Sequence, residues 1–335
     1  MFHLIAKQGP NTPPLAASSH PGHRSGVQKN LVPESLRLAY LDSGLRRNDD
    51  RYPWLVTGWF IVSCQSSKNI EVFMFEKEFE IACMAARDAG SVLKEHFGKP
   101  HQIVKKGEID LVTEADLAAE KTILKLLQSH FPDDNILSEE AGDQNVVSER
   151  TWIVDPLDGT TNFAHGFPFF AVSIGLDVAK EIVLGVVYNP TMEELFTARL
   201  GKGAFLNDGP IHVSNASSLG ESLVVTGFPY DIRKRSNRIF ERFQRMVVSC
   251  QGVRRAGSAA IDLCYVAAGK FDGLWEENLK PWDTAAGAII VKEAGGTLSN
   301  FEGKPFNPYV ESVVAGNPSI HGEIVRTLQI AKLTL

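Results

Sequence analysis

The chain lacks any hydrophobic run of the roughly 20 residues that a membrane-spanning helix needs. Its longest apolar run near the N-terminus, WLVTGWFIVSC from Trp54 to Cys64, falls well short. That run begins too deep in the chain for a secretory signal and has no small-residue cleavage pattern, so neither a span nor export is expected. Cysteine is scarce: four in 335 residues, Cys64, Cys83, Cys250 and Cys264, with no CxxC or other metal-type spacing. This argues against a zinc site or a disulfide framework and fits reduced, buried thiols in the cytoplasm. A sustained basic face is missing as well. The net charge is -6 and the isoelectric point about 5.9, with both signs spread along the chain, so direct nucleic-acid binding is not expected. What remains, 44% hydrophobic and 22% charged residues, is the composition of a soluble globular protein long enough to bury a real core.

The texture changes near Met74. Residues 1–73 are rich in Pro, Ser, His, Gly and Arg, show no apolar periodicity, and are expected to be a disordered or mis-annotated extension, with Met74 as the functional start. From Phe75, the residues Phe79, Cys83, Ala86, Gly90, Leu93 and Phe97 recur at helical spacing until Gly98 and Pro100. A second helix is expected after Thr113 and before Pro132. Strands are expected at Thr151–Val154, Phe169–Leu176 and Ile182–Tyr188, a hairpin-like turn at Asn207-Asp208-Gly209, and helices over Phe240–Val248, Ser258–Ala268 and Thr284–Ala294. Helices and strands alternate in blocks with hairpins among the strands, which predicts layered sheets and helices and not a purely parallel doubly wound sheet.

The stretch WIVDPLDGTTNFAHG, Trp152 to Gly166, carries the densest chemistry. Pro156 has no N–H and a fixed φ, so the strand is expected to end there and present Asp155 and Asp158 from one tight turn. The Leu157 carbonyl would add a further hard oxygen, and the N–H groups of Gly159, Thr160 and Thr161 would face an anion if a helical turn starts there. Read alone, Asp-Pro-x-Asp-Gly is equally an ordinary turn with a capping aspartate. The other acids are similarly two-sided. Glu139 follows the apolar pair Ile136-Leu137; Asp283 stands at the head of an apolar helix and reads as an N-cap; Asp116 closes Thr113-Glu114-Ala115-Asp116, a capping box. If these carboxylates met in space they would repel unless cations compensated them, and all-oxygen ligands select Mg²⁺, Mn²⁺ or Ca²⁺.

WIVDPLDGTTNFAHGFPFFAVSIG and PWDTAAGAIIVKEAGG, with DLVTEAD, LSEE and RRAGSAAIDLCYVAAGKFDGLWE between and around them, resemble the inositol monophosphatase family over about Met74 to Leu335. The resemblance implies an α+β layered αβαβα sandwich and hydrolysis of phosphate monoesters, foremost myo-inositol 1-phosphate, by water activated with two to three Mg²⁺ ions. Mn²⁺ would be a substitute, Li⁺ an inhibitor, and the assembly a homodimer. It further implies that Glu139, Asp155 and the Leu157 carbonyl hold one metal, and Asp155, Asp158 and Asp283 a second. Thr160 and Asp116 would activate water, and Lys105 would act from a mobile loop near the metals. Gly159, Thr160 and Thr161 would hold phosphate; Gly257, Ser258, Ala259, Glu276 and Asp283 would bind the substrate, the first four on its alcohol side. Histidinol phosphate, fructose 1,6-bisphosphate and NADP are alternative substrates. A non-catalytic alternative is association with the transcription machinery, for which the basic stretch Arg233, Lys234, Arg235, Arg238, Arg242 and Arg245 would be a docking face, unless it is simply a solvated helix face.

Overall fold

The computed structural model describes residues 56–57, 60–61, 75–99, 103–105 and 111–329. The chain divides into the units Met1–Asp49 and Asp50–Leu335, and only the second contains described residues. The expected extension, apart from a two-stranded pairing of β1 (Val56–Thr57) with β2 (Phe60–Ile61), and the start at Met74 lie outside them.

The first long helix, α1 (Glu76–His96), buries Ala82, Ala85, Ala86, Ala89 and Leu93 along one stripe, as the spacing predicts. A hairpin of β3 (Ile103–Lys105) and β4 (Leu111–Thr113) leads directly into α2 (Glu114–His130). The expected capping box is present: Thr113 Oγ1 accepts from Ala115 N, and Thr113 N donates to Asp116 Oδ2 at 2.8 Å. The chain continues through β5 (Asn135–Ser138), β6 (Gly142–Asp143), β7 (Arg150–Asp158), the single-turn α3 (Thr160–Ala164), β8 (Ala171–Val178), β9 (Glu181–Asn189), β10 (Glu194–Arg199), β11 (Ala204–Leu206) and β12 (Gly209–Ile211). These strands form an eight-stranded sheet in the order β12-β11-β10-β9-β8-β7-β5-β6, antiparallel except where β5 runs parallel to β7. Asn207 and Asp208, both at positive φ (46° and 67°), make the two-residue turn between β11 and β12 that the Asn-Asp-Gly string predicts.

The second half supplies β13 (Leu223–Thr226), α4 (Ile232–Ser249), β14 (Gly252–Arg254), α5 (Ala259–Ala267), β15 (Gly273–Glu277), α6 (Pro281–Glu293), β16 (Thr297–Ser299), β17 (Ser312–Gly316) and α7 (Pro318–Leu328). Its five-stranded sheet has the order β14-β13-β15-β17-β16 and is mixed. Three apolar clusters fix the layers: α1 and α2 against the large sheet, α5 and α6 between the sheets, and α4 and α7 outside the small sheet. This is the expected αβαβα sandwich. Each fully buried Leu, Ile or Phe in these layers contributes about 1.5–3 kcal/mol relative to exposure.

Close approach of α6 to the large sheet depends on two glycines paired across β8 and β9, Gly175 and Gly185. A Cβ on Gly185 would lie 2.5 Å from Ala286 O, and one on Gly175 would lie 3.1 Å from Ala285 Cβ, so the helix rests on bare backbone. That contact carries the N-terminus of α6, and with it Asp283, to the end of β7.

Three local expectations need correction. The strand does not end at Pro156: β7 runs to Asp158 as a bulge, with Asp155 opposite Ser173 and Asp158 opposite Ala171. The bulge places proline where the ladder needs no donor. Helix α6 begins at Pro281, a favoured first helical residue, so Asp283 is the third helical residue and not the N-cap; its Oδ2 accepts from Lys280 N at 2.7 Å. Helix α4 begins at Ile232, eight residues before Phe240.

Candidate active site

The bulge in β7 projects Asp155 and Asp158 to one side, and Asp283 arrives from α6: one carboxylate oxygen of each lies within 4.8 Å of the others. Each acid is anchored. Asp155 Oδ1 accepts from Leu157 N at 2.9 Å, and Asp158 Oδ2 accepts from Ser258 Oγ at 2.6 Å and Ala260 N at 2.7 Å. Burial pushes all three carboxyls above the ordinary aspartate range; Glu139, Asp158 and Asp283 raise Asp155 further, and Asp158 and Glu139 raise Asp283. A set of oxygen donors that raise one another's pKa, with no His or Cys among them, fits a hard divalent cation. Glu139, just past β5, donates its N–H to Val154 O on the neighbouring strand, which brings it alongside Asp155.

Thr160 opens α3 after Gly159, whose φ of 96° is left-handed. A Cβ on Gly159 would approach Phe169 O to 3.0 Å and Gly257 O to 3.2 Å, so only glycine fits between those two chains. Asn162 ties the same turn to the 256–258 loop, donating to Phe169 O and Ala256 O at 2.7 and 2.9 Å. Behind it, Phe163 packs against Phe97 and Phe170 with ring centroids 5.6 and 5.0 Å away. Thr160 Oγ1 lies 3.3 Å from Asp116 Oδ1 and 3.0 Å from Leu157 O, within donating reach of either. Asp116 is buried, which raises its pKa, while its Oδ2 is held by Thr113 Oγ1 at 2.5 Å and by Thr113 N. Oδ1 is thereby left to face Thr160.

These groups surround a pocket of about 420 Å³ whose lining includes Glu139, Asp155, Leu157, Asp158 and Asp283. Gly159, Thr160, Thr161, Gly257, Ser258, Ala259 and Glu276 line it as well. Every residue expected at the metal and substrate sites therefore lines one cavity, and Asp116 stands behind Thr160. The side chain of Lys105 lies outside the described residues; its backbone pairs with Leu111 in the hairpin leading to Asp116. Cys83, Cys250 and Cys264 are free, and burial pushes the Cys83 thiol up to about 11.

Several residues were not anticipated. Asp262 lies inside α5, 1% exposed, lines the pocket, and its Oδ1 has no hydrogen-bond partner; burial, Glu276 and Asp158 all raise its pKa. A single acid within the apolar run AAIDLCYVA was the available signal. Glu120 lies one turn after Asp116, and its Oε1 accepts from Ser138 Oγ, Glu140 N and Ala141 N at 2.5, 3.2 and 2.9 Å, framing the turn that carries Glu139. Its spacing of four from Asp116 places both on one face of α2. Arg255 also lines the pocket and lowers the pKa of Glu276, which burial nevertheless pushes up to about 8. Arg242 does not belong to a solvated or docking face: it is turned inward and only 7% exposed.

The profile of the inositol monophosphatase family matches residues 75–333. The inositol-1-monophosphatase of Synechocystis is 47% identical over 251 residues, covering 74% of this chain and 88% of that protein. The fructose-1,6-bisphosphatase/inositol-1-monophosphatase of Aquifex aeolicus is 42% identical over 259 residues, covering 77% and 96%. Among solved structures, the extragenic suppressor protein suhB of Bartonella henselae superposes with a TM-score of 0.74 at 40% identity, covering 76% of this chain and all of that one.

Proposed function

The chain belongs to the inositol monophosphatase family and is a phosphoric monoester hydrolase; from that premise we propose that it converts myo-inositol 1-phosphate to myo-inositol and phosphate with Mg²⁺. The observation that carries this reading is the convergence of Asp155, Asp158 and Asp283 within 4.8 Å in a pocket also lined by Gly159, Thr160, Thr161 and Glu276. The three aspartates, Glu139 and the Leu157 carbonyl would hold the ions. When bound, divalent ions supply a water of lowered pKa, neutralise the phosphate dianion and stabilise the leaving alkoxide.

The chain's own groups do the rest. Thr160 Oγ1 orients the attacking water and passes its proton to Asp116 Oδ1, which a buried, raised-pKa carboxylate accepts more readily than an exposed one. Thr113 fixes the opposite oxygen, so the accepting atom is constant. The N–H groups at Gly159, Thr160 and Thr161 face phosphate, and Glu276 with the 257–259 backbone faces the alcohol. Lys105 is assigned a supporting charge near the metals. The same reading carries inhibition by Li⁺, use of Mn²⁺, a homodimer, a cytoplasmic location and a catalytic unit beginning near Met74.

A kinetic panel of inositol 1-phosphate, histidinol phosphate, fructose 1,6-bisphosphate and NADP, with and without Mg²⁺, tests the proposal. Highest kcat/KM on inositol 1-phosphate and loss of turnover without the ion are expected; preference for another ester overturns the substrate. The name of a Pasteurella multocida relative 41% identical over 254 residues, Nus factor SuhB, favours a second reading, partnership with the transcription machinery with catalysis secondary. Full complementation of a deletion strain by Asp158→Asn would select it.

A further inference from the structure

Beside the pocket lies a second, much smaller cavity of about 10 Å³, room for a single water. Its lining includes Thr226, Gly227, Arg242, Trp275, Glu276 and Phe301. Glu276 and Gly227 line both this cavity and the large pocket, so the Glu276 side chain forms part of the partition between them. The partition is tight: a Cβ on Gly227 would fall 1.8 Å from Glu276 Oε1.

Among the described residues, two buried polar atoms at this cavity have no hydrogen-bond partner, Arg242 Nε and Glu276 Oε2. One is a donor and the other an acceptor. Arg242 is held by its other end: Nη1 donates to Glu277 Oε1 and Oε2 at 2.9 and 3.0 Å, and the guanidinium lies 4.7 Å from the Phe301 ring centroid. Thr226 Oγ1 donates to Trp275 O at 2.7 Å, which leaves its lone pairs free to accept. A polar void of water size with a guanidinium donor, a carboxyl oxygen and a hydroxyl has the partners that a retained internal water needs.

We propose that Arg242, through one water in this cavity, fixes the Glu276 carboxylate and thereby sets selectivity for polyol esters. The inference rests on the reading of Glu276 as an alcohol-side residue. Arg242 is a positioning residue: it acts from helix α4 through Glu276 and touches no reacting atom.

The test separates geometry from charge. Arg242→Lys keeps the cation that faces Glu277 but removes Nε. We expect its KM for inositol 1-phosphate to rise about tenfold, the loss of one hydrogen bond to a charged group, with kcat within about twofold and the KM for p-nitrophenyl phosphate changed far less. Equal KM changes on both esters, or no change on either, overturn the proposal. Glu276→Gln is the control: if it leaves the ratio of the two KM values unaltered, the alcohol-side reading fails first. If Glu276→Gln moves that ratio and a folded Arg242→Lys does not, only the present inference fails. Should Arg242→Lys not fold, a high-resolution crystal structure of the wild-type protein decides. A water within about 3.2 Å of both Nε and Oε2 supports the proposal, and a dry cavity overturns it.

Discussion

The two sets of carboxylates lining the pocket are built on different physical terms. Asp155, Asp158 and Asp283, proposed to hold metal, each accept a backbone hydrogen bond, so their directions are set before any ligand arrives. By contrast, Glu276, proposed to face the alcohol, and its neighbour Asp262 each keep a buried oxygen with no partner among the described residues. The first arrangement suits an ion that demands a fixed ligand geometry. The second leaves hydrogen-bonding capacity for a hydroxylated ligand or water, and it is the set on which substrates with different alcohols would be told apart.

Removing a metal-side acid should have the largest effect. Asp155→Asn is expected to lower turnover by more than about 100-fold, beyond the 10–100-fold typical of residues that merely support a ligand, with the fold retained by circular dichroism. Phosphate release in saturating Mg²⁺ checks this, and near-normal turnover would refute the assignment. Next comes the proton path. Thr160→Ala should reduce kcat by about 100-fold, the lower range for lost acid–base assistance, while KM stays within about threefold; a KM effect without a kcat effect would remove Thr160 from water activation.

Both groups of carboxylates should answer pH in the same sense. Burial raises the folded-state pKa of Asp155, Asp283 and Glu276, so the folded chain binds these protons more tightly than the unfolded one. Their contribution to stability is therefore complete below about pH 4 and is lost as pH rises through the folded values, which for Glu276 is about 8. Metal-free protein should melt progressively lower between about pH 5 and pH 8, and Mg²⁺ should restore more at the upper end. Calorimetry in chelator and in Mg²⁺ measures both; a melting temperature that climbs with pH in chelator would contradict it. Glu276→Gln should flatten this slope. Its kinetic effect is the smallest expected, about a tenfold change in preference between inositol 1-phosphate and p-nitrophenyl phosphate, and an unchanged preference would detach Glu276 from the alcohol.

Legibility in the sequence follows the same division. The acidic cluster was readable because Asp-Pro-Leu-Asp-Gly-Thr-Thr packs two of its carboxylates and the adjoining glycine-threonine turn into one local stretch, and because Thr113 to Asp116 is a capping box whatever surrounds it. The bulge at Pro156 was misread as a strand end, since whether proline breaks a ladder depends on which neighbour lies opposite. Asp262, Glu120 and Arg242 were missed or given another face for the same reason. Their roles arise from contacts with residues distant in the chain: Glu120 with the 138–141 turn, Arg242 with Glu277, and Asp262 with the electrostatic surroundings of Glu276.

By itself the sequence determined the local chemistry: which carboxylates stand near strand and helix ends, which turn takes glycine, and which segments are helical, because caps, turns and periodicity act over a few residues. Only the tertiary structure decided that Asp283 meets Asp155, and that Arg242 turns inward behind Glu276. Those meetings depend on the bare Gly175–Gly185 face that admits α6 and on sheet order across the whole chain. Close packing between distant segments is a property of surfaces, and surfaces exist only once the layers have assembled.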